Sequence, residues 1–154
     1  MKIKRTNSSD PDFKDLVTQL DLFLQECYGE TQSFYDQFNK IKLLNHVVVA
    51  YHEDKPVGCG AFKKLDDTTI EIKRMYVDPE FRQMHIGSKI LEELENWGAE
   101  WNFKKVVLET GKLQPEAIKL YEKKNYKPIS NYGQYAGVDT SICMEKSLIK
   151  IQNN

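Results

Sequence analysis

A switch in hydrophobic periodicity near the middle of the chain constrains the fold more than any other feature. The β-rich run Glu71–Val77 is followed, after a short loop, by the run Ile86–Trp101, whose apolar residues recur at helical spacing. The loop Arg82–Gly87 therefore leads from a strand into the start of a helix. The first backbone N–H groups of a helix have no intrahelical acceptor and lie at the positive end of its dipole. Together with the fixed charge of Arg82, they predict a site for a phosphate-bearing ligand.

The composition is that of a globular protein with one domain. The chain has 154 residues, of which 40% are hydrophobic and 29% are charged, enough for one core but not for two ordinary domains. No run approaches the roughly 20 apolar residues that span a bilayer, so membrane insertion is not expected. The N-terminus, Met1–Asp10, is basic and then polar, without the apolar segment of a secretory signal. We predict a single cytoplasmic domain over residues 1–154.

Charge and cysteine content exclude several classes of function. A formal net charge of -1 gives no basic face of the kind that nucleic acid binding requires. The three cysteines are far apart in the sequence and predict neither a disulfide framework nor a metal cluster. The three histidines are equally scattered and lack the spacing of a zinc site. We therefore expect no nucleic acid partner and no metal.

The first part of the chain predicts a short strand and an amphipathic helix. Lys2–Arg5 has strand character, and Asp10 followed by Pro11 is typical of a helix N-cap and a first helical position. Apolar residues then recur at helical spacing until Gly29, which marks the end of this helix. A second, shorter helix is predicted over residues 31–41.

The rest of the chain alternates between strands and helices. Around the central helix, the order strand, helix, strand forms a βαβ unit, whose right-handed crossover makes the two strands parallel. The three strands between Val47 and Val77 are separated by short polar turns and are expected to be antiparallel. We thus predict an α/β fold with a mixed, mostly antiparallel sheet and flanking helices. The predicted strands are Val47–Tyr51, Pro56–Phe62, Thr68–Val77, Val106–Thr110, Tyr126–Ile129 and Thr140–Lys146, and a late helix covers Pro115–Lys124 with Asn125 as its left-handed end.

Three blocks of the sequence, taken in order, resemble the GNAT family of N-acetyltransferases. The first is the strand Glu71–Val77, and the second is the loop Arg82–Gly87 with the helix that follows it. This loop is similar to the family's acyl-CoA loop, Arg/Gln-x-x-Gly-x-Gly/Ala, except that His85 occupies the place of one glycine. The third block is similar to the family's pattern Asn-x-x-Ala-x-x-Leu-Tyr-x-x-x-Gly-Phe. Its residues here are Gln114, Ala117, Leu120, Tyr121, Asn125 and Tyr126, with Gln for Asn and Asn for Gly.

The resemblance implies a binding site for acetyl-CoA, the acyl donor of the family. In that family the two parallel strands beside the crossover helix splay apart, and the pantetheine arm lies along the edge of the first strand. The pyrophosphate contacts the backbone amides of the loop and of the helix start. Gln114 would offer its amide to the pantetheine arm, or it is a plain N-cap. The cofactor-binding residues implied here are Met75, Tyr76, Val77, Arg82, Gln83, Met84, His85, Ile86, Gly87, Ser88 and Gln114.

Glu71 is a candidate general base. It lies between Ile70 and Ile72 in an apolar strand pattern, where a charge is costly unless it is exposed or used. The acceptor amine is mainly an ammonium ion at neutral pH and must lose a proton before it attacks a thioester. By resemblance, Glu71 has the position of the strand glutamate in the family's histone-modifying members. The alternative is a solvent-facing residue paired with Lys63 or Lys73.

Tyr121 is a candidate general acid. By resemblance, its hydroxyl reaches the sulfur of CoA and protonates the departing thiolate. The alternative is a packing aromatic residue, because Tyr121 lies on the apolar side of its helix with Ala117 and Ile118.

The sequence thus predicts an N-acetyltransferase that transfers an acetyl group from acetyl-CoA to a primary amine by direct attack. The alternative, a non-catalytic acyl-CoA-binding sensor or interaction module, would need neither Glu71 nor Tyr121 and is less favoured. The acceptor is a small-molecule amine or a peptide amine. The segments expected to border it, Tyr28–Ile41 and Asn131–Gly137, carry aromatic residues without a diagnostic charge pattern. The resemblance also allows a homodimer.

Overall fold

The protein is seen in a computed structural model that describes residues 1–29 and 43–149. The predicted helix over residues 31–41 lies outside the described residues, as does most of the segment Tyr28–Ile41. None of the described helices is long and apolar enough to cross a membrane. The elements are β1 Lys2–Thr6, α1 Pro11–Tyr28, β2 His46–His52, β3 Lys55–Lys64, β4 Thr69–Val77, α2 Ile86–Glu100, β5 Lys105–Gly111, α3 Pro115–Lys123, β6 Lys127–Ile129 and β7 Ser141–Ser147.

The strands form a mixed sheet in the order β1-β2-β3-β4-β5-β7-β6. Strand β1 pairs with β2, β2 with β3, and β7 with both β5 and β6, all antiparallel. Strands β4 and β5, which precede and follow α2, are parallel, with registered pairs from Thr69↔Lys105 to Glu71↔Val107. Beyond these pairs, β4 continues to Val77 and β5 to Gly111. The predicted α/β fold with its βαβ crossover and mostly antiparallel sheet is confirmed.

The residues cluster into two compact units, and β4 and α2 contribute to both. Unit 1 consists of Met1–Lys63 with Lys73–Leu94, and unit 2 consists of Lys64–Ile72 with Glu95–Asn154. In unit 1, Asp10 caps α1 by accepting a hydrogen bond from the Asp12 amide at 2.9 Å, as predicted. The apolar face of α1 packs on the inner faces of β2 and β3 in one cluster: Phe13, Leu16, Val17, Leu20, Leu24, Tyr28, Leu44, Val47, Val49, Cys59, Ala61 and Tyr76.

The first turns of α2 lie very close to β3 in unit 1, because β3 carries a glycine at the point of contact. A Cβ added to Gly60 would lie 2.4 Å from the Met75 Sδ and 2.9 Å from the Ile90 Cγ2. Real Cβ atoms do not approach other atoms this closely, so a larger residue would force the Met75 and Ile90 side chains to move. The small residue therefore sets the separation of helix and strand, and with it the position of the α2 N-terminus.

Unit 2 is built on β5, β7 and β6, with the start of β4 and the last turns of α2. Glu95 of α2 is buried, and it accepts hydrogen bonds from the Tyr126 hydroxyl at 2.9 Å and from the Lys146 ammonium at 2.8 Å. These partners offset much of the desolvation of a buried carboxylate. After α3, Asn125 has a φ of 72°, so the predicted left-handed residue at this helix end is confirmed.

Candidate active site

The predicted junction of strand, loop and helix is present in unit 1. Strand β4 ends at Val77, a turn of 3-10 helix follows at Pro79–Phe81, and α2 starts at Ile86. The first hydrogen bond of α2 runs from the Lys89 amide to the His85 carbonyl at 3.1 Å. The amides of residues 86–88 precede this bond, so they are the N–H groups that a helix leaves for a capping group or a ligand. The geometry is that of an anion site.

Two residues of the loop adopt left-handed backbone conformations. The φ of Gln83 is 73° and that of His85 is 61°. Glycine reaches this region without strain, whereas other residues do so at a cost of about 1–3 kcal/mol. The left-handed backbone at position 85 therefore explains why the family pattern has a glycine there. His85 keeps the backbone course that the pattern requires and adds an exposed imidazole to the loop.

The guanidinium of Arg82 ties the loop to the end of β4. Its Nε donates a hydrogen bond to the Val77 carbonyl at 3.2 Å. Its Cζ lies 5.2 Å from the ring centroid of Phe23, a residue of α1, which is within the range of a cation–π contact. A guanidinium has five N–H donors in a planar fork, so these two contacts orient its charge at the loop.

Strand β4 has an irregularity just before the residues predicted to hold pantetheine. Arg74 has a φ of 59° within the strand, as in a β-bulge, and its carbonyl accepts a hydrogen bond from the buried Cys59 thiol at 3.4 Å. The Arg74 side chain is 6% exposed and pairs with Asp21 of α1 at 3.0 Å. Sequence reasoning did not identify this ion pair, in which Arg74 is buried and Asp21 is exposed on one side. Beyond the bulge, Tyr76 is buried while Met75 and Val77 are half-buried.

Glu71 lies in unit 2, in the part of β4 that pairs with β5. It is 1% exposed, and its Oε2 accepts a hydrogen bond from the Tyr132 hydroxyl at 2.5 Å. The alternative of a solvent-facing residue is therefore wrong. An ionised carboxylate so deeply buried is costly unless hydrogen bonds stabilise it, and such groups concentrate at functional sites. Tyr132 belongs to the loop Asn131–Gly137, which the sequence predicts to border the acceptor, and its bond to Glu71 is not predicted by the sequence.

Tyr121 of α3 is buried in unit 2, 6% exposed, and its ring packs edge to face against Tyr126 at 5.9 Å. Burial, and then the charge of Glu109, raise the pKa of the Tyr121 hydroxyl above its ordinary value. Among the described residues, the structure gives this hydroxyl no hydrogen-bond acceptor. Tyr121 thus combines a packing ring with a protonated hydroxyl that keeps its capacity to donate.

Gln114 precedes α3 at the N-cap position. Its carbonyl accepts the first hydrogen bond of the helix, from the Ile118 amide at 3.1 Å, but its side chain makes no capping bond. Gln114 is therefore the N-cap residue of α3, as the alternative predicted, although its side chain does not take part in the cap.

A second carboxylate, which sequence reasoning missed, lies on the next strand of unit 2. The Ser141 hydroxyl of β7 donates a hydrogen bond to the Oε2 of Glu109 at 2.6 Å. Glu109 is half-buried in an apolar strand pattern, as Glu71 is buried in its own. A glutamate inside an apolar strand pattern was thus the sequence signal that could have identified Glu109. Since Glu71 pairs with Val107 in register, Glu71 and Glu109 lie on the same face of the sheet.

Comparison with known proteins assigns the family. The model of the acetyltransferase (GNAT) family matches residues 13–126. An IAA acetyltransferase from Azospirillum brasilense is 32% identical over 135 residues, which cover 86% of this chain and 88% of that protein. A Klebsiella pneumoniae structure, provisionally described as an acyl-CoA N-acyltransferase, has a TM-score of 0.80 at 27% identity and covers 96% of this chain and 97% of that chain. An aminoglycoside 6'-N-acetyltransferase complexed with coenzyme A shares the fold, with a TM-score of 0.72, 21% identity and coverage of 99% and 100%. The chain therefore belongs to the GNAT family of acetyltransferases.

Proposed function

We propose that residues 1–154 act as a single acyl-CoA N-acyltransferase domain that moves an acetyl group from acetyl-CoA to a primary amine by direct attack. The observation that carries this proposal is the buried Glu71, which lies in the same strand that leads to the α2 N-terminus. A domain that only bound acyl-CoA would gain nothing from a desolvated carboxylate there. The proposal places the reaction in the cytoplasm, as the sequence predicts.

The acyl donor is assigned to unit 1. We assign its pyrophosphate to Arg82 and the amides of residues 83–88, and its pantetheine arm to Met75, Tyr76 and Val77. Two facts support this assignment: the helix N-terminus presents N–H groups, and coenzyme A is the ligand named for a structural relative. The Gln114 amide is a further candidate for the pantetheine arm.

The chemistry follows from the charges that develop during the reaction. Glu71, directly or through water, takes a proton from the ammonium ion, and the neutral amine attacks the thioester carbonyl. The amides near Val77 stabilise the oxyanion that forms. The carbon–sulfur bond then breaks, and the Tyr121 hydroxyl protonates the CoA thiolate. The proton that the new amide loses restores Tyr121 through solvent, and Glu71 releases its proton to solvent. The products are free CoA and an acetylated amine.

The acceptor is proposed only as a small-molecule amine or a peptide amine. The relatives are named for acceptors as different as IAA and aminoglycosides, so no single acceptor carries over to this chain. The test is thiol release from acetyl-CoA in the presence of small amines and peptides with amino groups. We expect release that depends on the amine and is matched by its acetylated product in mass spectrometry. Tight CoA binding with no amine-dependent release would instead support the acyl-CoA-binding sensor.

Arg82→Ala is expected to lower the affinity for CoA about tenfold to hundredfold, because a charge-assisted contact with phosphate is lost. His85→Gly should change the affinity for CoA only modestly. The unfolding free energy of this variant should stay within about 1 kcal/mol of wild type, because glycine relieves the left-handed strain but is more flexible in the unfolded chain. Isothermal titration with CoA and chemical denaturation measure the two quantities.

Phe23→Leu is the matched control for Arg82, since it removes the ring beneath the guanidinium and keeps the charge. It should bind CoA nearly as tightly as wild type. Equal CoA affinity in Arg82→Ala and wild type would contradict the assignment of the pyrophosphate to this loop.

A further inference from the structure

The bond between Tyr132 and Glu71 joins two residues 61 positions apart in the sequence. The phenol donates to the Glu71 Oε2 at 2.5 Å, the short distance typical of an O–H donor and an ionised acceptor. Burial is the main cause, and the negative charge of Glu71 the second, of a pKa for Tyr132 that lies well above its ordinary value. The phenol therefore keeps its proton at neutral pH and remains a donor.

Tyr132 is itself held in place on three sides. Its backbone makes a hydrogen bond to the Cys143 thiol of β7, and its ring packs edge to face on the buried Tyr135 at 5.7 Å. The Asn131 side chain, next to it, donates to the carbonyls of Val138 and Ser141 at 3.0 Å and 3.2 Å and so closes the loop. A donor fixed in this way loses little conformational entropy when it meets its acceptor.

We propose that Tyr132 is a positioning residue for Glu71: its hydroxyl orients the carboxylate and favours the ionised form that accepts a proton from the amine. This inference rests on the proposed function of Glu71. A hydrogen bond donated to a carboxylate favours its charged form, whereas burial favours the neutral one. Tyr132 thus holds the buried Glu71 carboxylate in one orientation and supplies a hydrogen bond to its Oε2.

Three further titratable groups, Tyr135, Cys143 and Glu109, lie near Tyr132 and Glu71. The charge of Glu71 also acts on Tyr135 and Cys143, and burial is the main cause of the raised pKa values of both. At neutral pH these two groups are therefore protonated and carry no charge. Glu109, a second carboxylate, acts on the same two groups.

The test is the pH profile of kcat in Tyr132→Phe. We expect the acid limb, where kcat falls as the base becomes protonated, to move up by about one pH unit. Below the limb kcat should fall about tenfold, while the KM for acetyl-CoA stays within about twofold. Replacing Tyr132 by 3-fluorotyrosine, a stronger donor that keeps the ring, should move the limb in the opposite direction. This second variant tests the bond without the loss of a side chain.

A matched control is Tyr126→Phe, which removes another buried bond between a tyrosine and a glutamate in the same unit. It should lower stability in a similar way but leave the acid limb unmoved. A readout that needs no turnover is the NMR titration of the Glu71 side-chain carboxyl carbon, which should move upward in Tyr132→Phe and not in Tyr126→Phe. Coincident titrations in wild type and Tyr132→Phe would overturn the proposal. An acid limb that persists in Glu71→Gln would instead overturn Glu71 as the base.

Discussion

Glu71→Gln is expected to lower kcat for amine acetylation by about 10²- to 10³-fold, the usual contribution of a general base. Glutamine has nearly the same shape and can still accept the hydrogen bond from the Tyr132 hydroxyl, so the fold should be retained. The acid limb of the kcat profile should disappear, because the group that becomes protonated there is gone. Steady-state kinetics between pH 5 and 9 measure both effects, with the KM for acetyl-CoA as a check on donor binding.

Glu145→Gln is a suitable control for this experiment. In the sheet register, Val107 lies opposite Glu71 on one side and opposite Glu145 on the other, so the two glutamates belong to the same row. Glu145 is 40% exposed and pairs with Lys105 at the surface, at 3.6 Å, an interaction of little energetic weight. Its replacement should leave kcat within about twofold of wild type. If Glu71→Gln also kept wild-type kcat, Glu71 would have no role as a base.

The elements of the fold were predictable because local chemistry specifies them. The N-cap at Asp10, the helix end at Gly29 and the left-handed Asn125 are each fixed by interactions within a few residues, and all three are found in the structure. The switch from strand to helix periodicity likewise located the loop and the α2 N-terminus. In each case the sequence pattern and the structural reason act over the same short distance.

The environment of the candidate base was not predictable in the same way. Glu71 has its partner 61 residues later, in a loop whose composition signals only turns. The left-handed φ values of Gln83 and Arg74 also gave no sequence signal, because neither residue favours that region. At position 85 the glycine of the family pattern did indicate a left-handed backbone. What escaped prediction is thus long-range pairing and backbone strain imposed by the surrounding fold.

Tyr121→Phe is expected to lower kcat about 10- to 100-fold while the fold and the KM for acetyl-CoA stay close to wild type. The ring that packs on Tyr126 is retained, and the hydroxyl that is lost has no acceptor among the described residues, so little stability is at stake. Because burial holds the pKa of Tyr121 above its ordinary value, the hydroxyl stays protonated through neutral and mildly alkaline pH. The wild-type rate should therefore show no loss from Tyr121 ionisation in that range.

The leaving group offers a sharper measurement than kcat alone. A general acid accelerates the reaction most when the departing thiolate is basic, so its removal lowers the rate less when the thiol is acidic. The ratio of wild-type to Tyr121→Phe rates should therefore shrink with acetyl thioesters whose thiols are more acidic than that of CoA. Tyr126→Phe, which alters the neighbouring ring in unit 2, should show a ratio that does not depend on the thiol. Wild-type turnover in Tyr121→Phe with every thioester would exclude Tyr121 as the proton donor and leave it as a packing residue.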